Sequence, residues 1–554
     1  MALDISKLGR KSFISQSALA EVLTAIKNSG EIPLHTSKST VKRRREDAIS
    51  QVETPYGPII ETLELDTVDG GQIRVPMCNP AAWMYHTSRT CPRMMRLLNQ
   101  ASQTVNNINR PWRIILYCDE ISPGNQLKVH NRRKLQSVYF SVQEYGGFEL
   151  TQEHAWSVLT CIRTDLVNKL QDGMSQFFRH CVKAFLKTSG NMSTGISVQV
   201  HGEDRIMCFV LSYILADEAA LKQVVENKGA SGKMLCLFCQ TTVNARYRPA
   251  NLGQLVLHTV TDASQLCLHS DNSVWQIIDY LNAESTRGTT KKHLSELEMK
   301  FGFNHCPAGL LLDVGLRQWV RPISMVAYDP MHVFLVSGVW QREMTLLLGR
   351  LADDGFKQSM LHDWTVAFIW PDIHGGASCS ARLVFKKKKE SDQEFKCTSS
   401  DALAVYPVAR SFLHHTVQTP TDELHLAIKS YYSLCEILDS LKLTATGAID
   451  AKDFHKKVES HLRNFVAPCL RVLFEHGCIM CRLDAASFVF LLSCQACYGE
   501  SHFLPKHHFA LHLGWQLQKH GLLCTCFVHE RRHKIMKRPL YFASALLNAT
   551  CGCV

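Results

Sequence analysis

Apolar and polar positions change their spacing several times along the chain, and each change marks an element. From Ser15 to Asn28 apolar residues recur at helical spacing (Leu19, Val22, Leu23, Ile26) until Gly30 breaks the pattern. From Thr54 to Pro76 the sequence alternates and carries turns at Tyr56-Gly57-Pro58 and Gly70-Gly71, which predicts a small β element. Asn79–Asn106 is more helical. Pro111 then precedes Trp112–Tyr117, a strong strand that ends at Cys118-Asp119-Glu120, with a turn at Ser122–Asn125. Val138–Tyr145 and Phe148–Leu150 predict two further strands divided by Gly146-Gly147. Glu153–Lys187 predicts helices (Trp156, Leu159, Ile162, Leu166, Leu170, then Phe177, Cys181, Phe185), and Gly195–Val200 and Arg205–Ala216 regain strand character.

The stretch that follows carries candidate chemistry. The apolar run Ile206–Ala216 stops at an acid, Asp217. A short helical pattern (Ala219, Leu221, Val224, Val225) and a Gly-rich turn (Lys228, Gly229, Gly232) lead to Cys236-Leu-Phe-Cys239. A strand-end carboxylate is well placed to hold a metal ion, and a Cys-x-x-Cys knuckle to pin the next segment with zinc. From Thr241 to about Glu500 the pattern is mostly helical, with polar loops at Ala283–Lys292 and Ser378–Asp401, the second containing the basic run Lys386–Lys389. Within this region Tyr328-Asp329-Pro-Met-His332 opens an apolar helix, with His332 at its start. Toward the end, His508 and His512 stand four apart, so a helix puts them on one face, fit to bind one ion. Phe527-Val-His-Glu530-Arg-Arg-His-Lys534 then sets one acid among basic and imidazole side chains.

Strand–strand–strand–helix–strand, with acids ending the first and fourth strands, is the ribonuclease-H-like arrangement. Its central strands lie side by side, so the two carboxylates converge, the geometry for two divalent metals about 3.5–4 Å apart. Mg²⁺ prefers carboxylates, water and phosphate, which suits Asp119 and Asp217. Each signal has a plainer reading: carboxylates capping turns, a structural histidine at 332, a carboxylate at 530 neutralised by its basic neighbours, a solvated loop at 386–389. The expected fold is α/β, a ribonuclease-H-like core interrupted by a large helical insertion. The expected segments are a helical, helix-turn-helix-like region at 1–50, a small mixed leader at 51–110, the first part of the core at 111–240, the insertion at 241–500, and a segment completing the core at 501–554.

Composition narrows the field. At 554 residues, with 46% apolar and 20% charged residues, the chain is globular rather than disordered. A net charge of +11 favours a polyanionic partner, nucleic acid before membrane. The 22 scattered cysteines suggest reduced thiols and zinc rather than a disulfide framework. Met1–Ala20 has no apolar core of a secretory signal, and no apolar run approaches the roughly 20 residues of a membrane span. A soluble protein of the cytosol or nucleus is expected. The Ser/Thr-capped basic run that includes Lys42, Arg43, Arg44 and Arg45 reads either as a DNA-contacting helix or as a localisation signal.

Taken together, these motifs resemble a DDE transposase, most closely the CACTA (En/Spm) superfamily and more distantly Transib and the V(D)J recombinase catalytic subunit. Tyr117–Asn125 is similar to that family's first-aspartate segment, and Asp217-Glu-Ala through Cys236 and Cys239 to its second-aspartate segment with the cysteine knuckle. Asp329-Pro-Met-His332 matches its Asp/Cys-x-x-His motif, and His508-x-x-x-His512 with Glu530-Arg resembles its histidine pair and final glutamate. The resemblance runs in order from about residue 112 to 538. It implies strand transfer on transposon-end and target DNA, with two Mg²⁺ (or Mn²⁺) ions held by Asp119, Asp217 and Glu530, and His332 near the catalytic centre. It implies one structural Zn²⁺ joining Cys236 and Cys239 to His508 and His512. A homo-oligomer in the nucleus, with no membrane association, is expected on the same ground. His507 rivals His508 as ligand, and Glu343 and Glu475 rival Glu530. A catalytically inactive, domesticated descendant that still binds DNA is the alternative, and a ribonuclease-H-like nuclease without a transposon substrate is a third. Two more pairs, Cys478/Cys481 and Cys494/Cys497, have zinc-ribbon-like spacing, but an apolar helical pattern lies between them.

Overall fold

The computed structural model describes residues 52–122, 134–242, 260–372, 376–386, 394–466, 497–499 and 502–536, with a few positions between 20 and 28 that are helical. The basic run Lys42–Arg45, the turn after Ser122, Lys387–Lys389, Glu475, Cys478, Cys481 and Cys494 lie outside the described residues.

The protein is mixed α/β around a seven-stranded mixed sheet. Its strands are β1 (Ile60–Asp66), β2 (Gln72–Cys78), β3 (Trp112–Ile121), β4 (Leu135–Val142), β5 (Ser157–Arg163), β6 (Phe209–Ala216) and β7 (Val326–Tyr328), in spatial order β7-β6-β3-β4-β5-β2-β1. β3, β4 and β5 form an antiparallel meander, while β6 and β7 run parallel to β3. β3 and β4 are buried along nearly their whole length because both faces of the sheet are covered. The hairpin β1–β2 joins the same sheet through a pairing of Met77 with Thr160.

Two strand assignments from the sequence are corrected. Phe148–Leu150 is not a strand but the end of a helical turn, Gly147–Leu150, and the third strand is Ser157–Arg163, inside the stretch expected to be helical. Gly146 and Gly147 do not make a hairpin turn. Gly146 takes φ of +92°, and a Cβ on Gly147 would sit 2.6 Å from the Thr446 Cα, so the pair admits a helix end against the sheet. The spacing Trp156, Leu159, Ile162 matched a helix, but Ser157–Ile162 is buried throughout, and a strand buried on both faces has no readable period. The run Arg205–Ala216 is also two strands, divided at Cys208. Glu203–Met207 pairs with Ile196–Val200 in a separate hairpin, and Phe209–Ala216 is β6.

The helices used below are α1 (Pro80–Thr90), α2 (Pro92–Ala101), α3 (Gly173–Lys183), α4 (Glu218–Val224), α5 (Asp271–Thr286), α6 (Lys291–Phe301), α7 (Pro330–Phe334), α8 (Val339–Asp353), α9 (Gln358–Ala367), α10 (Ser399–Thr416), α11 (Asp422–Thr446), α12 (Ala451–Val466), α13 (Pro505–His520) and α14 (Phe527–Met536). The expected loop Ala283–Lys292 shrinks to 287–290, because α5 runs on to Thr286 and Thr290 caps α6. The second expected loop contains short 3₁₀ turns and, from Ser399, the start of α10. α8, α10, α11 and α12 pack as a helical layer, and α13 bridges from α12 to α7 and β7. One contiguous apolar core runs from β1 through the sheet into α13 and Val528 of α14.

Candidate metal centre and carboxylate cluster

The parallel ladder sets the first part of the site. Ala216 of β6 pairs with Cys118 of β3 on one side and with Tyr328 of β7 on the other. The next residue on each strand is an aspartate: Asp119, Asp217 and Asp329. Register alone therefore brings three acids to one edge of the sheet, outside the carboxyl ends of its parallel strands, where open α/β sheets bind ligands.

The three acids are held differently. Asp119 is buried, takes the Tyr117 hydroxyl on Oδ2 at 2.6 Å, and takes the Glu120 amide on Oδ1 at 2.7 Å. Burial pushes its carboxyl up to about 7; the like charges of Asp217 and Glu530 add to the rise, and His332 and the Tyr117 hydroxyl oppose it. Asp217 caps α4 through the Ala220 amide at 2.7 Å and is half-buried. Asp329 is fully buried and internally satisfied. Its carboxylate accepts the amides of Met331 at 3.2 Å, His332 at 3.0 Å and Cys526 at 3.0 Å, and His332 Nδ1 at 2.5 Å. Burial works against a charged His332, but that hydrogen bond and the charges of Asp329, Asp119 and Asp217 outweigh it and hold its pKa at about 9. Asp329, His332 and Cys526 also lie close enough together to be a ligand set. The amide donors on Asp329 give it instead the role of a tie between His332 and the start of α14.

Glu530 arrives from the far end of the chain, in the first turn of α14. It is half-buried and close enough to Asp119 for its charge to act there. Its neighbour Arg531 is already engaged, donating to the Thr151 carbonyl at 2.6 Å and lying 3.7 Å from Glu153. The rival Glu343 is fully buried on α8, 3.5 Å from His461 of α12, within the helical layer.

A second cluster contains Cys236, Cys239, His508 and His512, all buried. Cys236 Sγ lies 3.2 Å from His512 Nε2, Cys239 Sγ lies 3.2 Å from His508 Nε2, and the two Nε2 atoms are 3.2 Å apart. The four ligand atoms fall within 4.8 Å of one another. A tetrahedral zinc with bonds of about 2.0 Å to nitrogen and 2.3 Å to sulfur needs ligand separations of roughly 3.3–3.8 Å, so the set fits such an ion with little adjustment. The Thr242 hydroxyl lies 2.9 Å from His508 Nδ1 and 3.1 Å from its Nε2, at the edge of the cluster, and the Phe238 amide donates to Cys236 Sγ at 3.3 Å. The Cys236 hydrogen bond and then the two imidazoles hold the Cys239 thiol far down, while burial pushes the Cys236 thiol up. Two buried thiols and two imidazoles with inward nitrogens form a site for a metal such as zinc.

His507 does not enter this cluster. Its ring lies against Phe465 and Phe503, 4.7 and 5.0 Å between centroids, and Nδ1 accepts the Leu504 amide at 3.0 Å. Sequence reading passed over Thr242, Cys526 and His529. His529 is fully buried and stacks on Tyr117 at 3.6 Å. The sequence signal for it was a polar residue following Phe527 and Val528 at the start of a helix. No family model matches this sequence, and no curated protein matches it.

Proposed function

We propose that this chain is a transposase-like DNA strand-transfer enzyme of the DDE type, with a ribonuclease-H-like core and a helical insertion. The observation that carries this reading is the row of aspartates ending the parallel strands, with Glu530 delivered beside Asp119 from 411 residues downstream. Asp217 and Asp329 also cap helices, but Asp119 and Glu530 cap none. Burial raises the Asp119 pKa and the charges of Asp217 and Glu530 add to the rise, and a bound divalent cation would offset both effects.

In this reading Asp119, Asp217 and Glu530 hold two divalent ions, Mg²⁺ or Mn²⁺. Such ions, when bound, polarise a phosphodiester and ease in-line attack by water or a DNA 3′-hydroxyl. The Tyr117 hydroxyl orients Asp119 and keeps it ionisable. His332, held charged by Asp329, faces the carboxylates and donates to a non-bridging phosphate oxygen. Zinc at Cys236, Cys239, His508 and His512 anchors the segment that presents Glu530. The basic run Lys42–Arg45 contacts the DNA backbone, the protein works in the nucleus, and it pairs transposon ends as a homo-oligomer.

Nicking of supercoiled DNA in Mg²⁺ or Mn²⁺ tests this. Wild type should nick, and Asp217→Ala should lose the activity by at least about 100-fold while keeping its zinc. Joined products separate a transposase from a plain nuclease. Absence of metal-dependent nicking under every condition would leave an inactive descendant that binds DNA.

A further inference from the structure

Glu530 stands on a helix that must be turned correctly before its carboxylate can face Asp119. Two backbone contacts fix where the approach to α14 lies: the Cys524 amide on the Tyr213 hydroxyl at 3.2 Å, and the Cys526 amide on Asp329 at 3.0 Å. Neither fixes the rotation of the helix about its axis.

His529 does. Its ring sits in a slot of three aromatic side chains: 3.6 Å from Tyr117 and nearly parallel at 25°, 4.2 Å from Trp156 at 73°, and 5.4 Å from Tyr139. Two walls of the slot are themselves held by hydrogen bonds. The Trp156 indole donates to the Leu150 carbonyl at 2.9 Å, and the Tyr117 hydroxyl donates to Asp119 at 2.6 Å. Successive helical residues are about 100° apart around the axis, so a pinned His529 dictates the direction of Glu530. The ring that His529 stacks on is also the one that orients Asp119. One contact therefore couples the first acid to the third.

We propose that His529 is a positioning residue, docking the Glu530 helix onto the strand that carries Asp119 so that the two carboxylates share one cation. This rests on the carboxylate cluster being the divalent-metal site proposed above. Misplacement by about 1 Å can cost on the order of 100-fold in rate.

The test uses the full chain and Mn²⁺ as probe, read by calorimetric titration, with plasmid nicking as a second readout and zinc content as the check on folding. His529→Ala should weaken Mn²⁺ binding about tenfold and slow nicking at least about 30-fold, with one zinc retained. His529→Phe, which keeps a flat ring in the slot, should stay within about threefold of wild type in both. Should the alanine variant lose zinc, His529→Leu against His529→Phe decides: Mn²⁺ binding about tenfold tighter with Phe supports the proposal. Equal Mn²⁺ binding by these pairs, including none by either, overturns it. A wild type that binds Mn²⁺ but does not nick refutes strand cleavage alone, and the difference between the His529 variants still decides the positioning role.

Discussion

Asp119 and Glu343 are both buried acids whose pKa values are pushed up, and their neighbours tell them apart. Asp119 faces two further acids and a charged histidine at a sheet edge. Glu343 faces His461 inside the helical layer; burial raises Glu343 to about 8 and lowers His461 to about 4, so at neutral pH their 3.5 Å contact joins two uncharged groups. The consequence for stability has a definite sign. In the unfolded chain Glu343 ionises near its ordinary 4.5, well before the folded value of about 8. Its contribution is thus fully present below pH 4.5 and is lost as pH rises to 8. His461 acts oppositely, adding stability as pH rises from about 4 to its ordinary 6.5. Glu343→Gln removes only the first effect. In urea unfolding the glutamine variant should gain on wild type between pH 5 and pH 8, by up to about 1.4 kcal/mol per pH unit. A constant difference across that range would contradict a buried neutral acid.

At the scale of elements, a helix face was legible in the sequence where a strand was not. Spacing alone put His508 and His512 together, and α13 does so, with His507 turned away toward Phe465 and Phe503. His508→Ala should therefore release the metal, and His507→Ala should retain one equivalent, as measured by bound zinc after dialysis. Asp119 and Asp217 were equally legible, because each follows a long apolar run ending in an acid. β5 was not, since its residues face core on both sides and any period fits. The packing role of Gly147 was also out of reach, because it depends on Thr446, a partner 299 residues away. His529 was missed for a related reason: its aromatic slot is assembled from β3, β4 and the approach to β5, which no local window contains.

For the molecule as a whole, the segment from 505 to 531 is laced across the sheet rather than packed as a separate body. The Gln516 side chain accepts the Tyr328 amide at 3.2 Å, Gln143 donates to the His520 carbonyl at 2.5 Å, and Tyr328 stacks on Phe509 at 4.4 Å. The Cys/His cluster sits at the start of this lacing, so its metal should govern the rest. Stripping zinc with a strong chelator should raise amide hydrogen exchange through α13 and α14 while β3 and β4 stay protected; uniform deprotection would mean the segment is integral to the sheet's own stability. The lacing also constrains how the sheet can change. β6 carries a register irregularity between Leu211 and Tyr213, and downstream of it Ala216 falls level with Cys118 and Tyr328. A lineage descended from this chain is free to lengthen or trim its peripheral loops. It has less freedom between Tyr213 and Ala216, where a single codon gained or lost without a compensating bulge would slide Asp217 out of line and turn its side chain to the opposite surface.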